Sequence, residues 1–275
     1  MKKNLIKLDK NTYKTNHDYM SFTRFSRFLK CEAAMAANYH EPNSISQLVG
    51  SYVDAYFSNE MDEFIEEHPD MYTKTGKLKS EFENANSIIE RIKNDEQFMY
   101  YMSGKKQEIM TGVIDDLPFK IKMDSYIEDK AIVDLKVMKN FSKVYSDLFR
   151  SYVNFVEAYD YDIEMAIFQE IVYQNTGKRL PCYLACVTKE DPADIGVFEI
   201  QQDALDKALK IVKNNIPRLK QILNGEVEPH RCNVCSYCRQ TKKVEKALSY
   251  EYAGYNGDQL REEGIECNDP ILKKE

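Results

Sequence analysis

Residues 112–137 read GVIDDLPFKIKMDSYIEDKAIVDLKV. Apolar and polar side chains alternate in both halves of this stretch, which is typical of strands that are buried on one face. In FKIKMD, which ends at Asp124, the acid shares the polar face with two lysines. In IVDLKV, Asp134 and Lys136 share the polar face. The stretch therefore predicts two neighbouring strands that carry charged side chains on one face.

The spacing of these charges predicts how the two strands pair. Asp129 lies midway between Asp124 and Asp134 in the sequence, so a turn centred on it would place the two acids directly opposite each other. The same register would place Lys122 opposite Lys136. Directly opposed residues have Cβ atoms about 4.5–5.5 Å apart. We therefore expect two carboxylates and two lysines on one patch.

Such a patch is either a metal-binding catalytic site or an ordinary charged surface. Two carboxylates this close repel, and each raises the pKa of the other. A bound Mg²⁺ relieves the repulsion, because it prefers oxygen ligands and keeps several waters. The metal can polarise a phosphodiester, and a lysine beside it can orient the attacking water. The alternative is a solvated hairpin face with cross-strand salt bridges, and the pattern alone leaves both open.

The rest of the chain alternates helical and strand-like segments. Helices are predicted by their apolar spacing at 21–39, 45–57 (with Ser44 as N-cap), 81–103, 142–177 and 202–224. Strands are predicted as a three-strand meander within 107–138 and at 181–189 and 195–200. We expect a lead-in (1–20), one α/β domain (21–245) with its cysteine-rich end at 230–240, and a tail (246–275). This order predicts an α/β fold with a mixed central sheet flanked by helices.

The stretch 112–137 resembles the core of the PD-(D/E)XK nuclease superfamily. In that restriction-endonuclease-like fold a hairpin carries the first Asp, and a D-L-K or E-x-K triplet follows on the next strand. The matching positions are Gly112, Pro118, Lys122, Asp124, Asp134, Leu135 and Lys136. Over most of its length the chain is similar to the RecE-like phage and prophage exonucleases related to exodeoxyribonuclease VIII.

The resemblance implies a DNA exonuclease that uses Mg²⁺ or Mn²⁺ and starts at double-stranded ends in phage-type recombination. It implies that Asp124, Asp134 and the backbone carbonyl of Leu135 bind the metal, and that Lys136 orients the attacking water. It also implies a single-strand annealing recombination protein as partner and a homo-oligomeric ring. A decayed nuclease that only binds DNA or protein is one alternative, and a structural or regulatory metal-cluster protein is another.

A further motif lies in the predicted helix at 45–57. LVGSYVDAYF resembles the first helix motif of the family, in which a glycine lets the helix approach the sheet and an acid or histidine follows. Gly50 and Asp54 occupy these positions. The resemblance implies that Asp54 is an additional metal ligand, while an ordinary exposed helix acid is the alternative.

The Q-x-x-x-Y motif of the family falls on one of two registers in the long predicted helix. The expected register gives Glu164 and Phe168, and a register five residues later gives Gln169 and Tyr173. Five residues rotate a helix by about 140° net, so both pairs cannot face one site. The surrounding sequence favours Glu164, which is then a catalytic candidate close to the metal.

Three cysteines near the C-terminal end share a two-residue spacing. Cys232, Cys235 and Cys238 can hold one side of a metal centre. The layout resembles RecB-like nucleases in which one N-terminal and three C-terminal cysteines hold a [4Fe–4S] cluster, which implies Cys31 as fourth ligand. Zn²⁺, with His230 as a possible ligand, and unligated thiols are the alternatives. The other cysteines are expected to be core or free thiols: Cys182, Cys186 and Cys267.

The charge of the chain limits its role. A net charge of −7 argues against a passive nucleic-acid coat protein, but not against a nuclease with a local basic groove. Lys122, Arg24 and Arg27 are the candidate DNA contacts, with a solvated helix face as the alternative for the arginines. No P-loop and no apolar signal segment are present, so we expect a cytoplasmic protein that does not use ATP.

Overall fold

The computed structural model describes residues 8–146, 151–244 and 247–264. The chain divides into two compact units, which we call the first unit (1–20 and 43–214) and the second unit (21–42 and 215–275). Among the helices of the described ranges, none is long and apolar enough to cross a membrane. The predicted division into lead-in, nuclease domain and tail stays a prediction.

The helices and strands follow one another along both units. The helices are α1 (Lys10–Thr15), α2 (Phe22–Lys30), α3 (Glu32–Ala36), α4 (Ile45–Phe57), α5 (Met61–Glu67), α6 (Ser80–Lys93), α7 (Glu96–Tyr101), α8 (Phe155–Ala158), α9 (Tyr161–Thr176), α10 (Gln202–Leu223), α11 (Ser236–Gln240) and α12 (Gly257–Glu262). The strands are β1 (Glu108–Ile114), β2 (Leu117–Met123), β3 (Ser125–Ile127), β4 (Ala131–Met138), β5 (Val144–Ser146), β6 (Ser151–Val153), β7 (Cys182–Thr188) and β8 (Ile195–Ile200). Short 3₁₀ turns lie at Pro69–Met71 and Tyr250–Tyr252.

The first unit is built on a four-stranded sheet with the order β3-β4-β7-β8. Strands β4 and β7 are parallel, and each has an antiparallel outer neighbour. Strands β1 and β2 form a separate antiparallel pair, as do β5 and β6. Helix α4 packs on β4 and on α6, while α9 packs on β1 and β2. The predicted α/β fold with a mixed sheet flanked by helices is confirmed.

One face of the four-stranded sheet packs into the main apolar core. Side chains from α4, α6 and α7 meet side chains from β4 and β7 there: Val53, Ile88, Ile92, Phe98, Val133, Leu135, Ala185 and Val187. Successive side chains of a strand point to opposite faces. Because Val133 and Leu135 point into this core, Asp134 and Lys136 lie on the other face of β4.

Several predicted elements are confirmed with their ends. Helix α4 covers the predicted residues, and Ser44 caps it: the Ser44 hydroxyl accepts from the Gln47 N–H at 3.2 Å, while Gln47 Oε1 accepts from the Ser44 N–H at 2.7 Å. Strands β7 and β8 and helix α10 lie where the alternation and the apolar spacing placed them. Caps and periodicity are local signals, so the sequence alone carries them.

The predicted turn between β3 and β4 is also confirmed. Ser125 pairs with Val133 and Ile127 pairs with Ala131, which centres the turn on Asp129. Asp129 has a φ of 61°. Asp and Asn tolerate this left-handed conformation better than most residues, so the turn is locally favourable.

The three-strand meander within 107–138 is wrong. The chain bends at Asp124, so β2 pairs with β1 in one sheet while β3 pairs with β4 in another. Lys122 consequently pairs with Ile109 and not with Lys136. Alternation sets which side chains share a face, but it does not say in which sheet a strand lies.

The predicted helix at 21–39 is interrupted. Cys31 has an extended backbone, with φ −164° and ψ 105°, and it ends α2 and begins α3. Apolar spacing continues across the break, because Phe25, Phe28 and Ala33 are all buried. The interruption is therefore invisible to periodicity.

The predicted helix at 142–177 is correct only in its second half. The first half contains the β5–β6 hairpin, in which the rings of Tyr145 and Tyr152 contact each other at 5.5 Å. Asn154 caps α8, and Asp160 with a φ of 61° precedes α9. Aromatic cross-strand pairs favour strands, and this pair has the spacing of such a contact.

Two glycines near the sheets differ in the space around them. A Cβ at Gly112 would lie 2.5 Å from Ile171 Cδ1 and 2.6 Å from Gln174 Oε1, so β1 and α9 approach closely there. A Cβ at Gly50 would lie 3.7 Å from Val137 Cβ, an ordinary contact. Helix α4 therefore lies against β4 at Gly50 with room for a Cβ, whereas the approach of α9 to β1 at Gly112 leaves none.

Substituting Gly112→Ala should destabilise the protein by about 1–3 kcal/mol, because a buried Ile171 must shift to admit the methyl group. The matched change Gly50→Ala should be neutral, or stabilising by up to about 1 kcal/mol, since Gly is a poor helix former. Urea unfolding of both variants measures the difference. Equal effects at the two positions would contradict this account.

Candidate active site and cysteine centre

The bend between β2 and β3 places Asp124 beside β4. Its Oδ2 accepts a hydrogen bond from the backbone N–H of Leu135 at 2.9 Å, and its Oδ1 accepts one from Gln107 Nε2 at 3.1 Å. Asp134 precedes Leu135 on β4 and is only 4% exposed. The two acids that the turn register predicted to meet are therefore close together.

Lys136 lies between two acids. Its Nζ is 2.6 Å from Asp134 Oδ2 and 2.7 Å from Glu164 Oε2. Glu164 belongs to the first turn of α9 and is buried. The ring of Tyr161, also in the first turn of α9, lies with its centroid 4.6 Å from the same Nζ. The start of α9 thus adds an acid and an aromatic ring to the face of β4 that carries the D-L-K triplet.

The second register of the Q-x-x-x-Y motif points elsewhere. Gln169 Nε2 donates to the backbone carbonyl of Leu180 at 2.9 Å, so its amide stabilises the chain before β7. Tyr173 is 40% exposed and stacks on Arg179 at 4.4 Å. Of the two predicted candidates, Glu164 is the one that contacts Lys136.

Asp54 on α4 belongs to the same cluster. Burial, opposed by the positive charge of Lys122 and aided by the charge of Asp134, raises the pKa of Asp54 to about 6. Lys122 therefore lies close to the acids even though its backbone pairs with β1. The structure brings together all four predicted acids: Asp54, Asp124, Asp134 and Glu164.

Two residues that the sequence did not reveal connect Asp54 with Asp124. Gln107 Nε2 donates to Ser58 Oγ at 2.7 Å as well as to Asp124, and Ser58 Oγ donates to Asp54 Oδ1 at 3.4 Å. Gln107 holds this position with a φ of 51°. Donors on the outer oxygens of acids fix which oxygens face a ligand. The bridge therefore sets the relation between an acid on α4 and an acid beside β4.

The acids are held in an environment that disfavours their charge. Burial, and then the neighbouring charge of Asp134, raises the pKa of Asp124 well above its usual range. Burial raises the pKa of Glu164 to about 7, although Lys136 opposes the shift. For Lys136 burial acts in the other direction, but Asp134 and Glu164 outweigh it and hold its pKa well above the usual value. The lysine is thus charged, while the acids disfavour one another's charged forms.

The oxygen atoms of the cluster fit a divalent cation. Asp134 Oδ2 is buried. Among the described residues it accepts no bond of hydrogen-bond geometry, and its 2.6 Å contact with Lys136 Nζ is an ion pair. A buried carboxylate oxygen without a hydrogen bond is costly unless a charge compensates it. Several carboxylates and a backbone carbonyl are the ligands that Mg²⁺ prefers. The residues present therefore fit a magnesium site.

A second cluster lies in the second unit. The Sγ atoms of Cys31, Cys232, Cys235 and Cys238 all lie within 4.8 Å of one another. Cys31 Sγ is 3.5 Å from Cys238 Sγ, and Cys232 Sγ is 3.9 Å from Cys238 Sγ. These distances exceed the about 2.05 Å of a disulfide bond. The four predicted cysteines therefore form one group suited to a metal.

The backbone around these cysteines is fixed by Glu32, which follows Cys31. Its carboxylate accepts two hydrogen bonds from Arg218, at 3.1 and 2.7 Å, and one from the backbone N–H of His230 at 2.7 Å. The His230 ring faces Glu32 at 3.7 Å and is not part of the four-thiol group. The zinc alternative therefore rests on four thiolates and not on His230.

The remaining predicted DNA contacts are spread over both units. Lys122 is half-buried on β2 of the first unit. Arg24 and Arg27 are half-buried on α2 of the second unit, where desolvation lowers the pKa of each. Their contact with DNA stays a prediction.

The sequence also missed a contribution from residues 8–20. Asp9 and Thr12 form a capping box that begins α1, a signal that could have been found. Burial, and then the charges of Glu164, Asp124 and Asp134, raises the pKa of Tyr13, which places its ring close to the acids. Tyr13 of the N-terminal residues thus lies near the acid cluster.

The geometry agrees with comparisons to known proteins. The chain belongs to the family described as a PDDEXK-like domain of unknown function (DUF3799), whose model matches residues 21–241. Membership of the PD-(D/E)XK superfamily, predicted from the D-L-K triplet, is confirmed. A solved structure from Eubacterium rectale, of a protein described as a candidate exonuclease, is 40% identical and superposes with a TM-score of 0.85. The match covers 90% of this chain and 98% of that chain. No curated protein matches the chain.

Substituting Asp124→Asn should raise the thermal midpoint measured in EDTA. The change removes a buried carboxyl group whose charged form burial and the other acids disfavour, and the Gln107 amide can turn to accept from the new amide. A gain of ~1 kcal/mol corresponds to about 2–4 °C for a domain of this size. Thermal melts with and without Mg²⁺ test this. A lower midpoint in EDTA would mean that the acids do not destabilise each other.

Proposed function

We propose that the protein is a Mg²⁺-dependent deoxyribonuclease, an exonuclease that hydrolyses phosphodiester bonds from the ends of double-stranded DNA. One observation carries the proposal: Asp134 and Glu164 pair with Lys136 at the D-L-K triplet of a PD-(D/E)XK fold, with Asp54 and Asp124 close enough for their charges to act on the same group. The likeness to the Eubacterium rectale protein supports the exonuclease class.

Each residue of the cluster then has a role. Asp124, Asp134, the backbone carbonyl of Leu135 and, from α4, Asp54 would hold the metal. When bound, Mg²⁺ or Mn²⁺ neutralises the acids, polarises the phosphodiester and lowers the pKa of a bound water. Lys136 is charged and half-buried, so it can orient the attacking water and stabilise the charge that develops on the phosphate.

Glu164 acts on Lys136 in this proposal. Its Oε2 lies 2.7 Å from Nζ, so it fixes the direction in which the ammonium group points. The family that the chain resembles usually carries a glutamine at the position of Glu164, whereas Glu164 is an acid. Burial raises the pKa of Glu164 to about 7 even against the opposing charge of Lys136.

The substitutions Asp134→Ala and Lys136→Ala should each lower Mg²⁺-dependent cleavage of linear duplex DNA by about 10²-fold or more. Asp134→Ala should also weaken Mg²⁺ binding, while Lys136→Ala should spare it, because a lysine is not a ligand. Rates and calorimetric titration with Mg²⁺ separate the two effects. Asp203→Ala and Lys207→Ala, which remove an exposed ion pair on α10, are matched controls.

The mode of cleavage is tested with the wild-type protein. Linear duplex DNA should be degraded in Mg²⁺ and spared in EDTA, and closed circular duplex should be spared in both. Cleavage of the circle would replace the exonuclease by an endonuclease. Binding of DNA without any cleavage would favour the alternative of a decayed nuclease that serves as a binding module.

We also propose that the four cysteines hold one structural metal centre. The resemblance supports a [4Fe–4S] cluster. The observed spacing of the thiols supports Zn²⁺, whose four bonds of about 2.3 Å would place tetrahedral sulfurs about 3.8 Å apart. Free cysteine thiolates that can bind either metal centre are typical of a reducing compartment, so we also propose a cytoplasmic location. On the resemblance alone, we also propose that the protein works with a single-strand annealing recombination protein and forms a homo-oligomeric ring.

Cys31→Ala should release the metal and destabilise the second unit. The ligand lies 207 residues from Cys238, and closing a loop of this length is worth on the order of 5 kcal/mol by the estimate for covalent bridges. Metal analysis, visible absorption and thermal melts measure the change, and brown protein would indicate the iron–sulfur form. Cys267→Ala is the matched control. An unchanged melt and metal content in Cys31→Ala would remove Cys31 from the ligands.

A further inference from the structure

A short N-terminal segment is tied to the first unit by a buried lysine. We call Asp9–Asn16, which contains α1, the N-terminal strap. Lys120 on β2 is 6% exposed, and its Nζ donates to the backbone carbonyl of Tyr13 at 2.5 Å and to that of Asn16 at 2.6 Å. A helix of six residues is not stable alone, so contacts of this kind order it.

Surface ion pairs tie the strap a second time. Lys10 pairs with Glu60 at 3.0 Å and also contacts Glu63, while Lys14 pairs with Glu63 at 3.0 Å and with Glu67 at 3.5 Å. These pairs are partly exposed, so each is weak and screened by salt. The buried clamp of Lys120 is therefore the contact that fixes the strap.

The strap brings one aromatic ring to the acid cluster. Lys120 Nζ lies 4.8 Å from the centroid of the Tyr13 ring, and Lys122 Nζ lies 6.0 Å from it. The ring is close enough to the acids for their charges to act on its hydroxyl. Two positive charges and a tyrosine ring thus border a site whose proposed substrate is a polyanion of stacked bases.

We propose that Tyr13 contacts the DNA strand at the acid cluster, and that Lys120 is a positioning residue that holds Tyr13 there. The inference rests on the proposed nuclease function. An aromatic ring can stack on any base, and such stacking is a common means of holding single strands without sequence preference. The strap precedes the residues that the family model matches, so this contact is additional to the D-L-K site.

Binding of a fluorescent oligonucleotide in EDTA tests the contact without cleavage. Tyr13→Ala and Tyr13→Leu should each raise Kd by about tenfold, the effect of losing one stacked base. Tyr13→Phe should retain wild-type binding, since the ring remains. Tyr173→Ala, which removes an exposed ring on α9, is the matched control and should bind as wild type. Leucine keeps the bulk, so wild-type binding by Tyr13→Leu overturns the proposal.

The clamp is tested by a double-mutant cycle. Lys120→Met keeps the buried volume but cannot donate to the two carbonyls, so it should weaken DNA binding to a similar degree as Tyr13→Ala. The double variant should be no weaker than the worse single variant, because both changes remove the same contact. Fully additive losses would show that Lys120 does not act through Tyr13.

Cleavage rates separate this inference from the proposed function. In Mg²⁺, Tyr13→Ala should raise KM with a smaller effect on kcat. If wild type binds DNA but cuts none, while Tyr13→Ala and Tyr13→Leu bind it more weakly, the nuclease proposal fails and the contact of Tyr13 stands. If wild type cuts DNA and Tyr13→Ala matches it in Kd and KM, the contact fails and the nuclease stands. A wild-type protein that neither binds nor cuts DNA overturns both.

Discussion

The ion pairs of Lys136 with Asp134 and Glu164 are the interaction on which the site depends. A buried lysine keeps its charge only when acids lie against it, and buried acids are tolerated only when a cation or a hydrogen-bond donor lies against them. Asp134 and Lys136 share a face of β4 because they are two residues apart, and α9 supplies the third group. The remaining acids, Asp54 and Asp124, exceed what these contacts balance. The first unit thus holds a cluster of acids that disfavour one another's charged forms, and a divalent cation would stabilise those forms.

The bend at Asp124 makes this arrangement possible. In a continuous meander, β2 would stay in the same sheet as β4, and Asp124 would be one residue in a regular ladder. With β2 leaving for a separate pair, the Asp124 carboxylate can accept from the Leu135 N–H, a backbone group inside the triplet. The same separation leaves β2 free to contact the N-terminal strap through Lys120. One local departure from regular structure therefore serves both the acid cluster and the segment beside it.

The features that the sequence predicted are those with a local cause. The Ser44 cap, the turn at Asp129 and the alternation in β4 depend on residues a few positions apart. The choice between sheets does not, which is why Lys122 was placed opposite Lys136 although both strands were recognised. Apolar spacing likewise ran across Cys31 and across the β5–β6 hairpin without a sign of either break.

The site was predictable to the same extent. The acids were recognisable because the D-L-K triplet fixes them relative to one another, and Glu164 because one register of the motif suited it. Gln107 and Tyr13 carry no such signal. Gln107 reaches the acids from the residue before β1, and Tyr13 does so through carbonyls held by Lys120. Their positions follow from tertiary contacts between segments that are distant in sequence.

The second unit faces a different constraint, which its chain connectivity creates. Residues 21–42 leave the first unit and the chain returns to it at residue 43, so α2 and α3 have no sequence neighbour among residues 215–275. Among the described residues, non-covalent contacts join the two segments, including the Glu32 contacts with Arg218 and His230 and the thiols around Cys31. A metal bound by all four thiolates would link the two segments through metal–sulfur bonds. The free energy of metal binding would then contribute to the free energy of folding. The acid cluster favours a cation because its acids repel one another. The cysteine group favours one because the second unit is built from two segments that are distant in sequence. The two clusters therefore favour a metal for different physical reasons. Loss of the metal from one cluster does not require loss of the metal from the other.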